Sequence, residues 1–448
     1  MKKAIEVCEK VKKEIRPTEE EIEKLKKVEK KLLQKLDRAL KETPFITPKI
    51  LGSYSRGTWL RGAEEIDLFL LFPLDFEEKE MESLGVEIGK KVLENYVISY
   101  AEHPYVKGDI NGIPVEVVPC FRISNASEIK SAVDRTPLHH EFLRARIRGM
   151  EDEVRLLKQF LKASGLYGAE YKIRGFSGYL CELLILYYGS FLQLVDRARY
   201  WNRRLIIDLL NGVEKKGESF TVVDPVDPDR NVAANLSIDS MAKFVEKCRS
   251  FMENPDEEFF FPEKRIPISR EMLLKEIEKR NTALLIIEFA RPNVVDDVLY
   301  PQLDKALSRI VHLLDSQDFQ VMRSNRLADE KACYLFVECI FKTLPVIKKK
   351  TGPPFDLHEN AKEFLKKYEN TSYVPFLEDG RYYVYVERKF TTPEECIVNN
   401  LDEMELGRHV TIAIRDGYAV YSGKDIMDVV DSRGEEFAKF LMEFMSMR

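Results

Sequence analysis

The chain has 448 residues, of which 44% are hydrophobic and 33% charged, and its net charge is −6. Such a chain is long enough for about two to four domains with real cores, and its composition is that of a globular protein with a heavily charged surface. The acidic balance excludes a general nucleic-acid coat, and no run reaches the roughly 18 uninterrupted apolar residues of a membrane span.

The opening stretch, "MKKAIEVCEKVKKEIRP", is charged throughout and lacks the apolar centre of a signal peptide, so a cytoplasmic protein without a membrane partner is expected. "PTEEEIEKLKKVEKKLLQKLDRALKE" reads as a helix: Thr18 and Glu21 form a capping box, and Ile22, Leu25, Leu32, Leu36 and Leu40 its apolar stripe. Strands are predicted over 49–51 and 66–72, with a tight turn after the first, then a helix over 77–93. "ENYVISYAEHPYVKGDINGIPVEVVPCF" reads as three short strands, with Asn111-Gly112 as a hairpin turn.

From about Pro137 the period becomes helical, in "EDEVRLLKQFLKASG" and "FSGYLCELLILYYGSFLQLVDRARYW". The most apolar part, 179–194, is interrupted by Glu182 and Gly189 and reads as a buried helix of a soluble protein. Residues 141–204 carry twelve Lys/Arg against seven Asp/Glu, a net of +5 that permits a local RNA path. "VVDPVDPDRNVAANLS" (222–237) is a Pro/Asp loop, and "PEKRIPISREM" (262–272) a linker. Beyond it, "TALLIIEFA" and "RYYVYVERKF" are strand-like, whereas "HVTIAIRDGYAVYSG" fits either a hairpin at Asp416-Gly417 or a helix ending at a glycine. The seven scattered cysteines contain no C-x-x-C, which disfavours both a disulfide framework and a zinc site.

The chemistry concentrates in "LGSYSRGTWLRGAEEIDLFLLF" (51–72). Strand side chains alternate, so Glu65 and Asp67 project together, about 7 Å apart. Carboxylates so placed repel one another unless a divalent cation lies between them. Glu116, flanked by Val115 and Val117 in another strand, joins them if the two strands pair. Oxygen-only ligands favour Mg²⁺ or Mn²⁺ over zinc. Ahead of the acids, Gly52 lets backbone approach a phosphate, Ser53 offers a hydroxyl and an amide, and Arg56 can fork onto phosphate oxygens.

This constellation resembles the polymerase-beta nucleotidyltransferase superfamily. "YAEHPYVKG", "VEVVPCF", "IKSAVDRTPLHHEFL", "EVRLLKQFLKASGLYGAEYKIRGFSGYLCELLI", "VVDPVDPDRNVAANLS", "DDVLYPQLDKA" and "RKFTTPEE" narrow the resemblance to the archaeal, class I CCA-adding enzymes. The resemblance implies an α+β protein: a polymerase-beta-like nucleotidyltransferase head with a small mixed sheet (1–140), a helical neck with the base pocket (141–262), an α/β body (263–310 and 392–448) and a tRNA-binding tail (311–391). It implies template-independent addition of C, C and A to the tRNA 3′ end from CTP and ATP, with two Mg²⁺ ions (or Mn²⁺) on Glu65, Asp67 and Glu116, and it allows a homodimer. Glu116 stands where the family usually has aspartate. Ser53, Arg56, Thr136, His139, Lys158 and Tyr167 match phosphate and sugar contacts, and His103 and Arg230 match positions near the base. Arg197, Arg199, Arg203 and Arg204, and Lys348 to Lys350, are candidates for tRNA backbone contacts.

Each residue also has an ordinary structural reading. His103 before Pro104 could serve a turn, Thr136 a cap, Lys158 a solvated helix face, Tyr167 a core, and Arg230 its own loop. The competing functions are a poly(A) or uridylyl polymerase, and a catalytically silent RNA-binding protein of the same fold.

Overall fold

The structure, a computed structural model, describes residues 1–100, 103–262 and 269–446. Most of the expected 262–272 linker, Ala101 and Glu102 of "YAEHPYVKG", and the expected start of the body at 263 lie outside the described residues. Two compact units divide the chain, Met1–Lys264 and Arg265–Arg448.

In the first unit come α1 (Lys2–Ile15), α2 (Glu19–Ala39), β1 (Thr47–Leu51), α3 (Gly52–Arg56), β2 (Ile66–Phe72), α4 (Glu78–Val92), β3 (Glu94–Tyr100), β4 (Pro104–Ile110) and β5 (Ile113–Phe121). They are followed by α5 (Arg135–Arg144), α6 (Glu151–Lys162), α7 (Gly178–Tyr188), α8 (Phe191–Ala198), β6 (Leu205–Asp208), β7 (Val213–Lys216), β8 (Thr221–Val222) and α9 (Ile238–Glu253). The capping box is formed at Thr18 and Glu21, and Leu25, Val28, Leu32 and Leu36 are the buried stripe of α2. Asn111 and Gly112, both at positive φ, close the hairpin between β4 and β5.

β1 to β5 form one mixed sheet in the order β1-β2-β5-β4-β3, with β2 and β5 parallel. Ile66, Leu68, Leu70 and Phe72 alternate onto one face with Val115 and Val117, where residues of α2 and α4 cover them. The opposite face is apolar as well: Phe69 and Leu71 pack with Leu51 and Cys120. Asp67 and Glu116 therefore replace apolar residues at one end of a face that is otherwise core.

A second core joins α1, α6, α7, α8 and α9. At its centre Phe160 contacts Phe191, Phe251 and Phe260 with ring centroids 5.3, 5.7 and 5.4 Å away. α1 belongs to this helical core, because its buried face (Ala4, Val7, Val11, Ile15) packs there. The apolar stretch 179–194 is two helices, α7 and α8, bent by 92° at a break of a few residues. Gly189 ends α7 with φ +84° and the Ser190 side chain caps α8. Among the described residues no single helix is long and apolar enough to cross a membrane.

The second unit contains α10 (Arg270–Arg280), β9 (Ala283–Ala290), α11 (Asp296–Ser316), β10 (Val321–Ala328), β11 (Ala332–Cys339), β12 (Ile347–Pro354), α12 (His358–Lys367), β13 (Phe376–Glu378), β14 (Arg381–Glu387), α13 (Pro393–Val398), α14 (Arg408–Asp416), β15 (Tyr418–Ser422), α15 (Ile426–Arg433) and α16 (Glu435–Phe444). The ambiguous 409–423 segment is a helix that stops at Gly417, followed by a strand. β10-β11-β9-β15 form one sheet and β12-β14-β13 another. The first sheet is buried on both faces: Leu285, Ile287 and Phe289 face one core, Leu284 and Ile286 the other. Both expected strands, in "TALLIIEFA" and "RYYVYVERKF", are formed. All seven cysteines are buried and free.

Candidate active site

Parallel pairing of β2 and β5 sets Asp67 opposite Glu116. Glu65, just before β2, joins them, and one oxygen from each of the three lies within 4.8 Å of the others. Gly52 makes room for this group. Its φ is +69°, and a Cβ there would stand 1.6 Å from Asp67 Oδ2. The acids strain one another. Burial, then the charges of Glu65 and Glu116, lift Asp67 to about 7, while Arg56 and Lys158 pull the other way. Burial and Glu116 raise Glu65 as well. Lys107, opposite Glu116 on β4, answers part of this charge, with its Nζ 2.5 Å from Glu116 Oε1. Three converging carboxylates without nitrogen or sulfur donors suit a hard divalent cation.

Behind the acids lies a buried cationic group. Arg56, at the end of α3, donates from Nε to Glu182 Oε1 at 3.0 Å, and its Nη2 lies 2.9 Å from Oε2. Thr58 Oγ1 donates to the same Glu182 at 2.6 Å. Glu182 is fully buried on α7. Lys158, on α6 and also buried, donates to the Thr58 carbonyl at 3.0 Å, and burial lowers its pKa. Tyr167 and Lys158 flank the start of α7, where a Cβ on Gly178 would meet the tyrosine hydroxyl at 3.2 Å and Lys158 Nζ at 4.0 Å. His140 on α5 is buried and held below its ordinary value by burial and by Arg56. Ser53 is half-buried on α3.

A third group is built around Asp224. This residue is fully buried and accepts from His139 Nε2 at 2.9 Å, Tyr179 Oη at 3.0 Å and Arg230 Nη1 at 2.8 Å. His139 stacks on Tyr179 with ring centroids 3.8 Å apart. Burial alone would raise Asp224, but hydrogen bonds from His139, the Val226 N–H and Arg230 hold it at about 2. Burial keeps His139 below its ordinary value against the pull of Asp224, and its Nε2 donates to that carboxylate, which can only accept. Thr136 lies one turn before His139 on α5. Asp134 anchors that helix by accepting the Phe121 N–H from the end of β5 at 2.8 Å.

His103 lies elsewhere: its Nδ1 is 2.9 Å from Glu82 and 3.6 Å from Glu78, both on α4. Of the basic candidates, Arg197, Arg203 and Arg204 are exposed, whereas Arg199 pairs with Asp196. In β12, Lys348 lies near Asp318 and Lys349 pairs with Glu378. Reading the sequence missed Glu182, Thr58, His140, Asp224 and Lys107. The available signal was one acid inside the apolar helix 179–194, which was read as an interruption.

Three family models match the chain: a nucleotidyltransferase domain over 33–139, the second domain of a tRNA nucleotidyltransferase over 152–261, and the C-terminal domain of a CCA-adding enzyme over 280–423. The α+β architecture and the presence of a nucleotidyltransferase domain agree with the sequence reading. A solved cytoplasmic RNA terminal U-transferase superposes with a TM-score of 0.45 at 14% identity, covering 59% of this chain and 100% of that one. The CCA-adding enzyme of Archaeoglobus fulgidus is 48% identical over 426 residues, covering 95% of this chain and 96% of its own length. That of Methanosarcina mazei is 40% identical over 439 residues, with 96% of both chains covered. That of Methanocaldococcus jannaschii is 38% identical over 427 residues, covering 90% of this chain and 93% of its own. At such identity over nearly its whole length, the chain belongs to the family of CCA-adding enzymes.

Proposed function

We propose that this chain adds C, C and A to the 3′ end of tRNA from CTP and ATP without a template. The observation that carries this reading is the pairing of Asp67 with Glu116, with Glu65 beside them, in a chain of the CCA-adding family. The tRNA 3′-hydroxyl attacks the α-phosphorus of the nucleotide in line, and pyrophosphate leaves. Glu65, Asp67 and Glu116 would hold divalent cations, Mg²⁺ or alternatively Mn²⁺. Such ions, when bound, neutralise charge on the attacking and leaving oxygens.

Arg56, Lys158, Ser53, Thr136, His139 and Tyr167 hold the triphosphate and sugar. An arriving triphosphate adds a further anion for buried Lys158, whose charge Glu182 already answers in part. Arg230, all donors, contacts acceptors that both wanted bases present: cytosine O2 and N3, or adenine N1. His103 joins this set on the resemblance alone. Exposed Arg197, Arg203 and Arg204 carry acceptor-stem phosphates, and Lys349 and Lys350 reach more distant backbone. The head, neck, body and tail division, a cytoplasmic location and a homodimer belong to the same proposal.

The test is incubation with tRNA lacking its CCA end, labelled CTP and ATP, and Mg²⁺. Incorporation of two C and then one A is expected. Runs of A, incorporation of U, or no incorporation would overturn the reading in favour of another template-independent polymerase or a silent RNA-binding protein.

A further inference from the structure

The loop that carries Arg230 is closed on itself. The Asp224 N–H donates to the Arg230 carbonyl at 3.1 Å, and the Arg230 N–H to the Asp227 carbonyl at 2.8 Å. These bonds fix the backbone and leave a long side chain free to rotate. What fixes the guanidinium is Asp224 Oδ2, which receives its Nη1. The same oxygen receives His139 Nε2. His139 lies in the segment matched by the nucleotidyltransferase domain, whereas Asp224 and Arg230 lie in the one matched by the second domain. A second tie runs parallel, with Arg135 Nε 2.8 Å from Asp227 Oδ2. So α5 and the 224–230 loop are joined twice, and Asp224 is the buried member of that junction.

We propose that Asp224 is a positioning residue for nucleotide selection: one buried carboxylate sets the base-reading Arg230 and the phosphate-side His139 in fixed relation, so that base edge and triphosphate are gauged by one rigid unit. This rests on the proposed function, because it assigns those two contacts to a nucleoside triphosphate. A carboxylate suits the task because it offers about four lone-pair sites and no donor. Here it takes three side-chain donors and the Val226 N–H at 3.1 Å. An asparagine presents one acceptor oxygen, and its NH₂ faces the incoming donors. Arg230 then keeps its place in the chain and loses its aim.

The experiment uses the full-length protein and a tRNA awaiting its first C, comparing kcat/KM for CTP and UTP. Asp224→Asn should lower the CTP/UTP preference about tenfold, with KM for CTP rising more than kcat falls. Asp224→Glu, which keeps the charge, should recover part of that preference. Adding Asp224→Asn to Arg230→Ala should change the preference by less than about twofold, since residues acting as one unit are not additive. If Asp224→Asn fails to fold, as judged by its thermal melt, the cycle of His139→Gln and Arg230→Ala replaces it. Coupling above about threefold in kcat/KM for CTP supports the junction, and independent, multiplying effects refute it. An unchanged preference in a folded Asp224→Asn, or effects that multiply with Arg230→Ala, would overturn this inference and leave the proposed function standing. Wild-type protein that adds no C would overturn both.

Discussion

Replacing Glu182 with alanine tests the reasoning about the buried cations most directly. Glu182 is wholly enclosed, the Arg56 side chain is 9% exposed and Lys158 is 3% exposed. Removing the carboxylate strips both cations of their nearest buried counter-charge and leaves Thr58 Oγ1 without its acceptor. Breaking a buried ion pair from one side costs about 3–5 kcal/mol, because the remaining charge stays buried and uncompensated. Against a total of about 5–15 kcal/mol, that is about a fifth or more of the stability of an ordinary domain. At about 2–4 °C per kcal/mol for a domain of this size, the melting midpoint should drop by about 6–20 °C. The chain has two tryptophans, Trp59 and Trp201, both in the first unit, so their fluorescence during urea or thermal unfolding reports that unit alone. Replacing Arg56 with methionine as well should return part of the loss, as a double-mutant cycle requires of a direct pair. A loss below about 1 kcal/mol for Glu182→Ala would refute the argument, since that is the worth of a solvated surface pair.

Alanine at Glu65 or Asp67 should reduce both C and A addition by several orders of magnitude while tRNA still binds in a filter assay; activity above about a tenth of wild type contradicts their assignment. Glu116→Gln should nearly abolish turnover at saturating Mg²⁺ and Glu116→Asp should keep it, whereas Lys107→Met, by releasing Glu116, should tighten Mn²⁺ binding measured by electron paramagnetic resonance; weaker binding would show that Lys107 supports the site. Asp67 sits at about 7 without a cation, so binding must expel a proton and affinity should rise from pH 6 to pH 8, read by calorimetry in buffers of different ionisation heat; an uptake with no proton released contradicts the shared strain of the three acids. Gly52→Ala, which puts a methyl at Asp67 Oδ2 on a backbone of positive φ, should lower Mn²⁺ affinity as well as activity; unchanged affinity would mean that the turn yields freely.

What could be read in the sequence was what its own neighbours determine. The Thr18–Glu21 capping box, the Asn111-Gly112 turn and the alternation of 66–72 are local, and each is formed at the expected place. The convergence of the acids was readable only as a condition, because strand alternation puts Glu116 on a face and cannot choose its partner strand; the parallel pairing does that. Glu182 and Asp224 escaped because their partners are distant: Arg56 is 126 positions from Glu182, and His139 is 85 from Asp224. A lone acid in an apolar helix signals a buried partner, but not which one. The opening stretch likewise read only as charged, since its sequence does not reveal that the core α1 joins is built from α6 to α9.

The two kinds of charge in this site are mounted in opposite ways, and that separates what each can do. Arg56, His139 and Arg230 are each gripped by a carboxylate more deeply buried than themselves: Glu182 is 0% exposed behind Arg56 at 9%, and Asp224 is 0% exposed behind His139 at 12% and Arg230 at 36%. A donor held from the inside, whether a guanidinium or the His139 ring, loses rotamer freedom before any ligand arrives, so an anion meets donors already aimed. The acids have the reverse mounting. Glu65 is exposed, Asp67 and Glu116 are half-buried, and Lys107 is the one cation that touches them among the described residues. They are left with mutual repulsion, which only an added positive charge relieves. The inner carboxylates therefore preserve orientation, and the outer ones create an unmet demand for cations. Substitutions at Glu182 and Asp224 should disturb which nucleotide is held and how firmly, and those at Glu65 and Asp67 whether bond transfer occurs at all. That division follows from burial alone.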